Sequence, residues 1–158
     1  MAKRIIAISM TGIFLWLGGT AAFAAGAETD PDFVSIEELR QLQIQKAPLV
    51  VLDARGLYKY EESHIEGAVL PMSAEFYRQD SLFKNRIIAE PPDRQKALSE
   101  AMQKFSKDVP IVTYCNRNCQ ASRVLQQELK LMGFKNVRAM EDGAEGWIEK
   151  GYPTVSGL

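Results

Sequence analysis

Two thiols four residues apart dominate the chemistry available to this chain. Cys115 and Cys119 are its two cysteines and His64 its one histidine. The thiols stand in Pro110-Ile111-Val112-Thr113-Tyr114-Cys115-Asn116-Arg117-Asn118-Cys119-Gln120-Ala121-Ser122-Arg123, with Val124-Leu125-Gln126-Gln127-Glu128-Leu129 following. A short apolar run stops at Cys115, a polar loop follows, and an amphipathic helix begins at once. That order places a thiol at the C-terminal end of a strand, where α/β sheets bind ligands. It also aims the open N–H groups of the next helix at the same spot, where they favour an anion. A thiolate is such an anion, and helix N-termini are among the places where a cysteine pKa falls. Cys115 is therefore the candidate nucleophile.

Cys119 has two readings: a resolving or sulfur-accepting thiol, or a loop residue that packs. Four-residue spacing meets the Cα separation of a disulfide, whereas a tight loop can point the two Cβ atoms apart. A scaffold disulfide normally ties distant segments, so reactivity explains the pair better than stapling does. One distant histidine and two loop cysteines are too few ligands for a metal site, and no metal or other cofactor is expected.

The elements that must position this loop read as alternating strands and helices. Ser35-Ile36-Glu37-Glu38 is a capping box that opens a short helix. Pro48 to Asp53 is a continuous apolar run ending in an acid, suited to a strand buried on both faces. A short helix is expected over Leu57 to Glu62 and a second strand at Ala68-Val69-Leu70. Residues from Ser73 to Asp93 show no clear period. A helix from Asp93 to Lys107 is expected to bury Ala97, Leu98, Ala101, Met102 and Phe105. Ile111 to Tyr114 is the third strand. The helix Ala121 to Met132 should bury Val124, Leu125, Leu129 and Met132, with Gly133 just past its end. Val137 to Met140 is another strand, and Glu141-Asp142-Gly143 turns into a last helix around Trp147, most simply a core residue. The alternation predicts an α/β fold with a parallel sheet flanked by helices on both faces.

The N-terminus has the form of an export signal, expected to span residues 1–24. Lys3 and Arg4 precede an apolar stretch from Ile5 to Leu17, and small residues then lead to Ala22-Phe23-Ala24. Cleavage after Ala24 is the first expectation and Ala25-Gly26-Ala27 the second site. An uncleaved anchor is the alternative, because Ile5 to Ala27 carries no charge. Of 19 basic and 20 acidic residues, Lys3 and Arg4 lie in the leader, which leaves the mature chain three charges negative. That balance does not suit a nucleic-acid surface. One domain is expected over 33–156.

Three blocks of sequence resemble a single-domain rhodanese, a sulfurtransferase family. The first is Val51-Leu52-Asp53-Ala54-Arg55, then Tyr60, then His64-Ile65-Glu66-Gly67-Ala68 leading to Pro71. The second is Tyr114-Cys115 with its loop. The third is Gly133-Phe134-Lys135-Asn136-Val137, then Asp142-Gly143, Gly146-Trp147 and Gly151-Tyr152-Pro153. The resemblance implies a catalytic cysteine at Cys115 in a loop of Asn116, Arg117, Asn118, Gln120 and Ala121 that wraps N–H groups around the sulfur. It implies a scaffold role for His64, while Asp53 and Arg55 are expected to pair or cap locally. An ordinary cysteine is only about 3% thiolate at pH 7, and lowering its pKa by about two units takes roughly 2.7 kcal/mol. Helix-terminal dipoles and a cation such as Arg117 are the expected source.

The chemistry so implied is attack of the Cys115 thiolate on a thiosulfate-like or persulfide donor. The resulting Cys115 persulfide passes its sulfur to a thiol or cyanide in a ping-pong cycle. The thiol acceptor is expected to sit on a periplasmic protein, and stable membrane association is not expected after cleavage. Many active rhodaneses carry Gly at the position of Asn118 and a basic residue at that of Gln120. Asn tolerates a left-handed backbone, so Asn118 can replace Gly, but Gln120 removes a charge that would grip an anion. Arg117 or Arg123 could compensate. A second loop thiol also resembles a periplasmic branch associated with quinoprotein-dependent alcohol oxidation, although Trp follows the second cysteine there and Gln120 does here. A related phosphatase chemistry would need an arginine six residues after the cysteine, and position 121 is alanine. The alternative function is a periplasmic thiol–disulfide redox protein or sulfur carrier using both cysteines. Expressed with its leader in a Gram-negative host, the protein should appear in the periplasmic fraction with Ala25, or secondarily Glu28, as its N-terminus. A full-length form retained in membranes would contradict this.

Overall fold

The computed structural model of the chain describes residues 30–158. The expected leader lies outside the described residues. The elements run β1 (Phe33–Val34), α1 (Ile36–Ile44), β2 (Val50–Asp53), α2 (Leu57–Glu62), β3 (His64–Ile65), β4 (Ala68–Val69), α3 (Ala74–Lys84), α4 (Arg94–Met102), β5 (Ile111–Tyr114), α5 (Ala121–Leu131), β6 (Val137–Met140), α6 (Gly143–Glu149) and β7 (Thr154–Val155). Five strands form one sheet in the order β1-β6-β5-β2-β4, with every pairing parallel. A separate antiparallel pair joins β3 to β7. Because β4 lies on one side of β2 and β5 on the other, the strand order reverses between β2 and β5. At such a reversal the loops beyond the strands' carboxyl ends diverge and leave a crevice.

Alternation along each strand divides the core in two. Val51, Val112, Tyr114 and Met140 pack with Ile36 and Leu39 of α1 and with Ala144 and Trp147 of α6. Leu52, Ile111 and Val137 pack on the other face with Phe76 of α3, Leu98 and Met102 of α4, and Leu125 and Leu129 of α5. Both faces are thus covered, which is why β2 and β5 read as unbroken apolar runs.

Local chemistry sets the helix ends. Ser35 caps α1 by accepting the Glu38 N–H at 3.1 Å, and Asp93 caps α4 by accepting that of Lys96 at 2.9 Å. Gly133 follows α5 at φ +89°, a conformation that suits a residue without Cβ. Three expectations change. The unreadable stretch contains α3, capped by Ser73 and burying Phe76 alone. Helix α4 ends at Met102, because the Phe105 N–H bonds to the Met102 carbonyl and turns the chain back onto the core. Val124 is 52% exposed, and the buried stripe of α5 is Ser122, Leu125, Gln126 and Leu129.

One buried polar cluster ties the centre together. Asp53, with no exposed surface, accepts from Arg55 Nε at 3.0 Å and from the Tyr114 hydroxyl at 2.5 Å. The same hydroxyl oxygen accepts the Ile65 N–H at 3.2 Å, and the Arg55 guanidinium also reaches the Ser63 carbonyl. Burial, and then the Asp53 charge, push the Tyr114 phenol far above its ordinary pKa, so it remains a donor. Tyr114→Phe should cost about 1–3 kcal/mol by leaving Asp53 and the Ile65 N–H each short of a partner. Asp53→Ala should cost more, about 3–5 kcal/mol, because the Arg55 charge is then buried uncompensated. Urea unfolding of the three proteins checks the order, and two variants as stable as wild type would contradict it.

Candidate active site

Strand β5 delivers Cys115 to the carboxyl edge of the sheet, one residue past Tyr114. Cys115 is nearly enclosed, at 2% exposed, whereas Cys119 is half-buried. The loop between them is held from the opposite side by the start of α6. The Ala144 N–H donates to the Cys115 carbonyl at 2.8 Å. Gly143, at φ +62°, lies so close that a Cβ there would stand 2.5 Å from the Arg117 nitrogen. Only a residue without a side chain permits that approach. Within the loop Asn118 takes the left-handed conformation at φ +60°, as its sequence position suggests, and the Cys119 N–H closes a turn onto the Asn116 carbonyl at 3.1 Å.

A pocket of about 370 Å³ opens over this loop. Cys115, Asn116, Arg117, Asn118, Cys119 and Gln120 all line it, with Phe33, Arg123 and Asp142 among the residues closing its sides. The volume suits a small ligand. Ala121 contributes its amide instead, donating to the Cys119 sulfur at 3.4 Å. Gln120 gives α5 no side-chain cap, and the first amides of the helix meet the two thiols instead, that of Ala121 the Cys119 sulfur and that of Ser122 the Cys115 sulfur.

The environment of the Cys115 sulfur differs from the sequence-based expectation. Sγ lies 3.1 Å from the Cys119 carbonyl, 3.4 Å from the Asn116 carbonyl and 3.2 Å from the Ser122 hydroxyl. Carbonyl oxygens accept from a thiol and repel a thiolate. Burial pushes the Cys115 pKa up; hydrogen bonding from Ser122 opposes this, and the Cys119 thiol adds to the rise. The thiol is thus held protonated rather than depressed by the helix. Arg117 does not offset this either. Its guanidinium meets Glu149 at two points, 2.9 and 2.6 Å, and its backbone N–H donates to Glu145 at 2.7 Å. Arg123 has its guanidinium 4.8 Å from the centre of the Phe33 ring. Among the described residues it is the lining cation without a carboxylate partner.

Sequence reasoning missed Ser122, Glu145 and Glu149. Ser122 had a signal: a polar residue spaced three and seven positions before Leu125 and Leu129, on the buried stripe of a helix. The two glutamates are surface positions of α6 that only the tertiary fold brings to the loop. His64 lies outside the pocket. Its ring stacks on Tyr60 with centroids 3.6 Å apart, and Nδ1 is 2.8 Å from the Tyr60 carbonyl. Asp53 and Arg55 are spent on each other and on Tyr114, as described above.

The family model of the rhodanese-like domain matches residues 35–150. No curated protein matches the sequence. Solved structures do. The rhodanese-like domain of an Anabaena protein is similar over 81% of this chain and 80% of its own, at 21% identity and a TM-score of 0.57. The structure of SseA from Escherichia coli, described among 3-mercaptopyruvate sulfotransferases, is similar over 80% of this chain and 52% of its own, at 20% identity and a TM-score of 0.60. A thiosulfate sulfurtransferase from Pseudomonas aeruginosa matches 80% of this chain and 20% of its own, at 18% identity and a TM-score of 0.58. At these identities the likeness is one of fold.

The contacts at Sγ give two predictions of opposite sign. Ser122→Ala should raise the Cys115 pKa and Cys119→Ala should lower it, because the first removes a donor to the sulfur and the second a thiol that opposes its ionisation. Trypsin cuts between the thiols at Arg117, so the pH dependence of Cys115 alkylation is readable on its own peptide. Midpoints that move together, or not at all, would contradict the assignment.

Proposed function

Because this chain belongs to the rhodanese-like domain family, we propose that it is an exported sulfurtransferase in which Cys115 carries sulfane sulfur as a persulfide. The observation that carries the reading is the placement of Cys115. Its sulfur lies at the carboxyl end of the central strand, in the pocket that the uncapped start of α5 faces. In the cycle, the Cys115 thiolate attacks the outer sulfur of the donor and a new S–S bond forms. The donor's own S–S bond breaks, and the leaving group departs with the electron pair as sulfite or thiolate. An acceptor thiolate or cyanide then attacks the outer sulfur of the persulfide and returns Cys115 as thiolate. Ser122, the side chain that opposes the rise in the thiol pKa, is the positioning residue for the first step.

The charges around the pocket favour a persulfide donor over thiosulfate. A dianion needs uncompensated cations, yet Arg117 is paired with Glu149, and Glu141 and Asp142 line the same pocket. Gln120 offers no charge at the mouth of α5. Arg123 is the residue placed to meet an anionic donor. The second thiol supports a place beside the two-cysteine exported branch, and Gln120 in place of that branch's tryptophan sets the chain apart from it.

Cys115→Ser should abolish sulfur transfer to cyanide while leaving the unfolding midpoint near that of wild type, since hydroxyl replaces thiol at little change in volume. Transfer retained at wild-type rate would overturn the proposal. Gln120→Arg should lower KM for thiosulfate about tenfold with little change in kcat, as one charge-assisted contact of about 1.4 kcal/mol would. An unchanged KM would contradict the charge argument.

A further inference from the structure

Cys119 has no part in a one-cysteine cycle, yet its contacts are more specific than packing requires. The Cys119 N–H bonds to the Asn116 carbonyl, and Asn118 takes the left-handed conformation, so the loop folds back on itself. That turn lays the Cys119 backbone against the Cys115 sulfur, at 3.1 Å. Both thiols line one pocket. The Cys119 sulfur accepts the N–H of Ala121, the first residue of α5, at 3.4 Å. Both sulfurs receive an amide from the open end of the helix, Cys119 that of Ala121 and Cys115 that of Ser122. Cys115 Sγ faces two carbonyl oxygens and the Ser122 hydroxyl. The geometry thus sets a second thiol in the same pocket as a cysteine that is nearly closed to solvent.

We propose that Cys119 resolves the Cys115 persulfide: its thiolate attacks the inner sulfur, closes a Cys115–Cys119 disulfide and expels the outer sulfur as hydrosulfide. The inference rests on the sulfur-carrying role of Cys115 and deepens it. One S–S bond forms as one breaks. The sulfane sulfur is reduced to sulfide, the two thiols are oxidised to the disulfide, and the bonding pair leaves with hydrosulfide. No oxidant is consumed beyond the sulfane donor. Return to the dithiol takes two equivalents of an external thiol reductant, which leaves as its own disulfide. A thiol in the same loop needs no encounter with an outside acceptor for this step. The substrate class that follows is a sulfane donor whose sulfur is released as sulfide, with a thiol reductant as second substrate.

The test compares the mature wild-type protein, Cys119→Ser and Cys115→Ser, each treated with inorganic polysulfide, freed of excess donor and left without thiol. Sulfide release is measured alongside non-reducing intact mass. Wild type should release one equivalent of sulfide per chain and become two hydrogens lighter than the dithiol. Cys119→Ser should stay one sulfur heavier and release sulfide only at background, and Cys115→Ser should do neither. A wild-type protein that keeps the extra sulfur just as Cys119→Ser does would overturn the resolving role while leaving the carrier role intact. Failure of Cys119→Ser to gain sulfur, with its unfolding midpoint unchanged, would overturn both.

Discussion

The buried carboxylate of Asp53 is the constraint on which the placement of the loop depends. Parallel strands β2 and β5 lie side by side with Asp53 opposite Tyr114 in register. An acid with no exposed surface must find donors, and it finds them in Arg55 and in the Tyr114 hydroxyl. Arg55 then fixes the Ser63 carbonyl and Tyr114 fixes the Ile65 N–H, so the end of α2 and the start of β3 are drawn to the same point. Tyr114 is also the last residue before Cys115. The network therefore holds the strand end rigid one residue from the sulfur. The acid, the arginine and the phenol satisfy one another, and none of the three lines the pocket over Cys115.

From that anchored strand end the loop is shaped by close approach rather than by charge. Gly143 brings α6 within contact of the backbone at Asn116 and Arg117, and Ala144 holds the Cys115 carbonyl. The acids of α6 then occupy the cation and one amide of the loop: Glu149 takes the Arg117 guanidinium and Glu145 its N–H. These pairs are exposed, so their worth is small in stability. Their effect is on the field in the pocket. Arg117 is taken up by Glu149 there, and burial keeps the pKa of the Cys115 thiol raised. The proposed preference for weakly charged sulfur species rests on this pairing, on the neutral Gln120 and on Arg123.

Much of this was legible in the sequence because it follows from apolar runs and caps. Strands β2 and β5 announce themselves as apolar runs, and Ser35 and Gly133 mark the start of α1 and the end of α5. The parallel sheet covered on both faces follows from their alternation. Strands β1, β3 and β7 are two residues each, too short for any period to register. Helix α3 buries only Phe76, so it leaves no apolar stripe to read. The loop sequence placed Cys115 and the left-handed Asn118, both local properties. The expected drop in the thiol pKa and a free Arg117 did not follow, because the carbonyls that face Sγ and the glutamates of α6 are tertiary facts. Val124 is apolar and reads as a core residue. The helix instead buries Ser122 and Gln126, and the Gln126 side chain donates to the Asp32 and Val137 carbonyls.

The most direct measurement of the account locates the transferred sulfur. Cys119→Ser and Cys115→Ser, each with one thiol left, are exposed to polysulfide, trapped with an alkylating agent and digested with trypsin, which cuts after Arg117 and Arg123. The account predicts one extra sulfur on the peptide that ends at Arg117, carried by Cys115, and none on Asn118–Arg123. Extra sulfur on Cys119 alone, or on neither peptide, would contradict it.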